Sequence, residues 1–191
     1  CNLPEPGRIE SNPGFHPNAD ILVRAAAAAQ FGDIFMRCVY RMRPYEATPG
    51  TVDALHRKWA EKAREFVARK HISLLQFRKM CRSIIRDFDR VPLLHVRKPR
   101  VGVVGEILVK FSPAGNNHLV ELLEAEGAEA VVPDLLDFML YCFYNQIYKA
   151  ENLGTSKKAA RLSSLGIWAI EHILRGAAAK EFEKSRHFTP P

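Results

Sequence analysis

Glu106, Lys110, Asn116 and Asn117 follow closely on Gly105, in a connection that separates a short apolar run from a helical pattern. An acid, a cation and two amides so grouped suit the binding of a polar or anionic ligand better than covalent chemistry. The glycine permits close backbone approach. The asparagines stand where a helix begins, and unpaired N–H groups there favour negative charge. The competing reading is a structural loop that packs its apolar residues over a sheet and leaves Glu106 in water. The residues alone support both equally.

The patterns that mark catalysis are missing elsewhere in the chain. Gly102-Val103-Val104-Gly105 is not G-x-G-x-x-G, and neither a G-x-x-x-x-G-K-[ST] loop nor a G-x-S-x-G elbow occurs. The seven histidines (16, 56, 71, 95, 118, 172, 187) form no i, i+4 pair around an acid. Asp134 and Asp137 could make a carboxylate pair, but a helix cap and its first-turn acid explain them more simply. Gly154-Thr155-Ser156-Lys157-Lys158 has the look of a phosphate-friendly helix start; a plain N-cap with surface lysines accounts for it as well.

Four cysteines, at 1, 38, 81 and 142, are too widely spaced for a zinc site or a disulfide framework. Buried, reduced thiols in a cytoplasmic protein are the expectation.

The chain has 191 residues and a formal net charge of +7, with 47% hydrophobic and 26% charged residues. Those proportions describe a folded globular chain with a sizeable core. The longest apolar tract, Val131 to Tyr144, is interrupted by Asp134 and Asp137, so no segment reads as a transmembrane helix. Charge is laid out unevenly. Residues 37–100 carry 17 basic and 6 acidic side chains, whereas residues 101–154 carry 2 and 8. Such asymmetry marks a binding surface or two parts with different duties. The basic segment lacks an interleaved aromatic platform, which argues against nucleic acid.

These residues need elements to position them. Residues 1–17 are rich in proline and glycine and read as an irregular lead-in. Apolar and alanine-rich spacing from Ala19 to about Arg41 predicts one or two helices, with Gly32 as a break point. Thr51 starts a second helical pattern with Val52, Leu55, Trp59, Ala63, Phe66 and Val67 on one face. A Ser73/Gln76 capping box starts a third, with Phe77, Met80, Cys81, Ile84, Ile85 and Phe88. The two should form an antiparallel pair joined through residues 70–72.

Beyond Lys98-Pro99 the character changes. Residues 100–105 predict a strand buried on both faces, and residues 128–132 a second. Between them Asn116 or Asn117 caps a helix, and Gly127 supplies its left-handed end. This is the signature of a parallel βαβ unit. Asp134 opens a helix to about Ala150, and Thr155 opens a last long one. The chain begins at Cys1 rather than Met and ends at Pro190-Pro191 just after a helical pattern, which suggests a piece of a longer polypeptide.

The run Lys98-Pro-Arg-Val-Gly-Val-Val-Gly-Glu-Ile-Leu-Val-Lys110, the pair Asn116-Asn117, and Glu-Gly-Ala-Glu-Ala-Val-Val-Pro-Asp at 126–134 resemble the large CoA-substrate-specific enzyme activases. Those proteins are similar to activators of (R)-2-hydroxyacyl-CoA (2-hydroxyglutaryl-CoA) dehydratases. Gly32-Asp33, Met36-Arg37, Arg43-Pro44-Tyr45-Glu46, Asp137-Phe138 and residues 141–145 fit the same pattern. The resemblance spans most of residues 30–160 but includes no catalytic motif. It implies a multi-part protein in which an ATPase domain holds a four-iron, four-sulfur cluster and injects an electron at the expense of ATP. A dehydratase-like, Rossmann-like part receives it, and this chain matches that part.

The expectation is therefore an α/β chain: mostly helical, with an incomplete Rossmann-like parallel βαβ unit. Residues 1–97 form a helical basic region, and residues 98–191 an α/β half-domain with a long C-terminal helix. Its function would be a docking or CoA-substrate-side surface, with Gly105, Glu106, Lys110, Asn116 and Asn117 as ligand-binding candidates and Cys142 as a metal candidate. A non-catalytic scaffold module is the alternative. No cofactor is expected in the segment itself; the cluster and ATP would belong to the full-length protein. The expected partners are an ATPase domain of the same polypeptide and a CoA thioester, without membrane or nucleic acid.

Overall fold

The computed structural model describes residues 18–188, so the lead-in, Cys1 and His16 lie outside the described residues. Helix α1 (Ala19–Met42) is capped by Asn18, whose side chain accepts from Ile21 N. It runs unbroken through Gly32, because its flanking alanines and apolar residues hold the helix and no backbone need arises there. A 3₁₀ turn with Pro44 (Arg43–Tyr45) ends it.

Helices α2 (Thr51–Ala68) and α3 (Leu74–Asp89) follow as the spacing predicts. Thr51 is not the cap of α2. Gly50 takes that position with φ of 85°, and the Glu46 carboxylate accepts from Gly50 N (2.7 Å) and Val52 N (2.8 Å). The apolar stripes of α1, α2 and α3 interlock in one core in which Phe31, Phe66, Phe88, Ile84, Ile85 and Met42 are fully buried. Full burial of each such side chain is worth about 1.5–3 kcal/mol.

Strand β1 (Arg100–Gly102) pairs in parallel with β2 (Glu129–Val131), in the register Arg100–Glu129, Val101–Ala130, Gly102–Val131. Two short helices, α4 (Ile107–Phe111) and α5 (Leu119–Ala125), make the crossover. Gly127 has φ of 84°, the left-handed end that α5 requires. One expectation is corrected. All three β1 residues are exposed, because the sheet has only two strands among the described residues and nothing covers the first. Only Val103, just past its end, is buried.

Helix α6 (Leu135–Asn152) packs against α7 (Lys157–Trp168) around Leu136, Leu140, Ile167 and Ile170. The approach is close: a Cβ on Gly166 would lie 2.9 Å from the Phe143 ring. The expected single last helix starts at Ser156, the cap of α7, and widens into a π-helical segment at Ala169–Arg175. It then resumes as α8 (Gly176–Phe182).

Ala178, Phe182 and the following Phe188 enter the α1–α3 core. The main core thus crosses the boundary expected at residue 97. Arg86 on α3 clamps Glu181 on α8 through both guanidinium ends. No described helix is long and apolar enough to cross a membrane.

Candidate functional site

The basic and acidic halves of the sequence meet in space. Arg37 on α1 donates to Asp134 (2.7 Å), Arg43 in the 3₁₀ turn to Glu124 (2.7 and 3.0 Å), and Arg41 on α1 to Glu129 (2.7 Å). Part of the charge asymmetry is therefore an internal interface between α1 and the βαβ segment. What these pairs leave over gathers around the last of them.

Glu129 is the centre of that gathering. It lies on β2 with 1% of its surface exposed. Its carboxylate accepts from Arg41 Nη1, from the Tyr45 hydroxyl (2.8 Å) and from Arg100 Nε (3.1 Å) on β1. Burial first, and the bond to Glu129 next, push the Tyr45 phenol above its ordinary pKa, so it remains a donor. Arg41 is further fixed by a bond from Nε to the His187 carbonyl (3.1 Å) and by stacking on the Tyr45 ring.

A cavity of about 880 Å³ opens above this cluster. Its far wall is the extended segment 91–98, pinned at one end where Leu94 N donates to the Tyr45 carbonyl (2.7 Å) and Ala47 N to the Pro92 carbonyl (3.0 Å). Among the described residues seven Lys and Arg and two histidines line it, against Asp89 and Glu129 as the only acids. Asp89 is occupied by the backbone N–H groups of Arg186 and His187. Among the described residues no carboxylate lies within ion-pair distance of the Arg97, Lys98 or Arg186 side chains. Such an arrangement attracts anions, and low-dielectric walls strengthen the field.

No family model, curated protein or solved structure matches this chain. The cleft must therefore be read from its own chemistry.

The residues singled out in sequence lie apart from it. Gly105 takes φ of 141°, and Glu106 caps α4 by accepting from Leu108 N (3.0 Å) and Val109 N (3.3 Å). Lys110 Nζ sits over the Phe111 and Phe138 rings, at 5.3 and 5.5 Å. Asn116 donates to the Val109 carbonyl (2.8 Å) and accepts from Leu119 N (3.2 Å), so it ties α4 to the start of α5. Asn117 is exposed, with φ of 55°. None of the five lines either of the two cavities beside Glu129.

Their polar groups hold the crossover together. Glu106→Ala and Asn116→Ala should each cost about 1 kcal/mol, the usual loss of a helix cap. Urea midpoints will register that change, while anion affinity should stay at the parent value. Loss of anion affinity in either variant would return the loop to the site.

Cys142 is buried on α6, and among the described residues no group of three or more metal-ligating side chains is assembled. Cys38 and Cys81 are also fully buried, which pushes both thiols up, Cys81 to about 12. They behave as small apolar groups.

A second buried acid cluster stands where α1 meets α6. Asp134 opens α6, but its side chain makes no cap; it accepts from Arg37 and from Arg175 Nη2 (3.0 Å). The cap comes from α1 instead. Asp33 accepts from Leu135 N (2.7 Å) and Leu136 N (2.9 Å) with both carboxylate oxygens. Arg175, in the π-helical segment, also reaches Asp137 (2.8 Å), so this cluster fastens α6 to both α1 and the C-terminal helix.

Sequence reasoning missed Glu129, Arg41, Tyr45 and Arg186. One signal was present: Glu129 is the lone charge inside the apolar run 128–132. A carboxylate there must be buried and must find partners.

Proposed function

We propose that this chain is the non-ATPase, dehydratase-like segment of a protein of the CoA-substrate-specific enzyme activase kind, and that it binds rather than catalyses. In this reading the basic cleft takes the phosphate-bearing end of a CoA thioester. An ATPase domain of the same polypeptide, carrying ATP and the four-iron, four-sulfur cluster, docks on it. The parent protein acts in ATP-driven 2-hydroxyacyl-CoA dehydration, in the cytoplasm, and the segment alone is inactive. The parallel strand–helix–strand arrangement stands in this reading for an incomplete Rossmann-like unit.

The observation that carries the proposal is the convergence of Arg97, Lys98 and Arg186 on one cavity with no carboxylate partner among the described residues. Several cations around one concave site suit a ligand with several negative charges. Acetyl-CoA at a hundredfold its Kd should stabilise the chain by about 2.7 kcal/mol. For this size that is a rise in Tm of roughly 5–10 °C.

Replacing both Arg97 and Lys98 with alanine should remove most of the rise and leave the ligand-free Tm in place. Among the described residues neither side chain has an ion pair to lose. A chain indifferent to CoA esters would favour the scaffold reading instead. Tyr141, Tyr144 and Tyr148 on α6 and Leu162, Leu165 and Trp168 on α7 are all exposed, and they supply the apolar surface that reading needs.

A further inference from the structure

Beside the cavity just described lies a second, of about 400 Å³, and the two share Arg41, Arg100, Glu129, Arg186 and His187 as lining. Both fall in the size range of small-molecule sites, roughly 300–1,000 Å³. Their remaining walls differ in charge. The larger adds Arg86, Arg90, Arg97 and Lys98 beside the apolar segment 91–94. Among the described residues the smaller adds Arg37 as its one further cation, beside Met36, Tyr40, Val131, Val132, Pro133 and Phe188.

We propose that the two cavities are the lobes of one site for an amphiphilic organic phosphate, with its charged end in the basic lobe and an apolar group in the lobe floored by Val131 and Val132. This rests on reading the larger cavity as an anion site, and it adds what the rest of the ligand must be. Phosphate alone would have no use for the second lobe, and a purely apolar ligand would leave Arg97, Lys98 and Arg186 without a counter-charge among the described residues.

The shared wall has the geometry to hold the junction between the two ends. Glu129 takes one donor each from Arg41 and Arg100 and so fixes both guanidinium groups in place. A guanidinium carries five N–H donors. Arg100 gives one of them, Nε, to Glu129, and its Nη donors have no acceptor among the described residues. They remain for a phosphate oxygen at the mouth of the apolar lobe, where bidentate contact is available. Glu129 acts here as a positioning residue: it holds the arginines and is itself too buried to meet the ligand.

The test uses inorganic phosphate, octyl phosphate and inorganic tripolyphosphate, titrated calorimetrically at one ionic strength. Octyl phosphate should bind at least about tenfold more tightly than inorganic phosphate, the gain expected from burying two or three methylene groups. The double variant Met36→Gln/Val132→Asn should reduce that advantage to about twofold or less. Its tripolyphosphate affinity should remain within about twofold of the parent, which also shows that the variant is folded. The two-lobed site is overturned if octyl phosphate has no advantage while tripolyphosphate binds, and the anion reading then survives. An advantage that persists undiminished in the double variant overturns it as well, since the chain would then be seated elsewhere. If tripolyphosphate does not bind the parent chain, both readings fall.

Discussion

Replacing Glu129 with alanine should lower the unfolding free energy by about 2–3 kcal/mol, a large effect for one side chain. Three groups lose their acceptor at once: the Arg41 and Arg100 guanidiniums and the Tyr45 hydroxyl. Breaking a fully buried ion pair from one side costs about 3–5 kcal/mol. The figure here is smaller because the Arg41 and Arg100 side chains are 37% and 60% exposed and can turn to water. Tyr45 cannot, and a buried hydroxyl left without a partner costs about 1–3 kcal/mol by itself. Glu129→Gln keeps the volume and one acceptor, so its cost should be about half as large. Urea unfolding at pH 7 measures both. An alanine variant within about 0.5 kcal/mol of the parent, the range of ordinary surface changes, would show that the cluster is open to water and that β2 does not depend on it.

The helical core was legible because its signal is local. Spacings of three and four residues placed Val52, Leu55, Trp59, Ala63, Phe66 and Val67 on one face, and Phe77, Met80, Cys81, Ile84, Ile85 and Phe88 on another; nine of the twelve are buried, and Leu55, Val67 and Met80 are partly so. Gly127 was legible for the same reason, since the conformation it adopts is decided by its immediate neighbours. The cleft was not. Its carboxylate sits 84 positions beyond Tyr45, and Arg41 donates to the His187 carbonyl 146 positions away.

Charge counts showed that residues 37–100 and 101–154 differ in sign, but not that Arg37, Arg41 and Arg43 cross between them to Asp134, Glu129 and Glu124. The loop after β1 misled for a chemical reason. A helix cap and a ligand site draw on the same residue types, because both offer an oxygen to backbone N–H groups. Glu106 and Asn116 satisfy those groups within their own chain. The C-terminal helix illustrates a third limit: nothing local to Gly176–Phe182 says what covers it, and only the three-dimensional path says that α3 does.

The other large effect belongs to Asp33, and its sign can be worked out. Burial dominates and pushes the Asp33 carboxyl from 3.8 up to about 7, and the neighbouring Asp134 charge adds to the rise. The two α6 N–H donors and Arg175 oppose it without reversing it. In the unfolded chain the same carboxyl loses its proton near its ordinary value of about 3.9. Between pH 4 and 7 the folded state therefore holds a proton that the unfolded state has released, and stability must fall as pH rises through that window. Each unit of difference corresponds to about 1.4 kcal/mol, so the whole window is worth up to about 4 kcal/mol.

Asp33→Asn removes the titration and keeps one oxygen for the α6 N-terminus. Below pH 4 the variant should be the less stable by about 1 kcal/mol, the usual worth of one hydrogen bond. Its deficit should shrink as pH rises, and the two stability curves should meet or cross before pH 8. Arg37, Arg175, Asp134 and Asp137 surround both forms alike, so the difference between the curves isolates Asp33. Parallel curves from pH 4 to pH 8 would mean that Asp33 is ionised throughout, with Arg175 and the two N–H donors offsetting its burial in full.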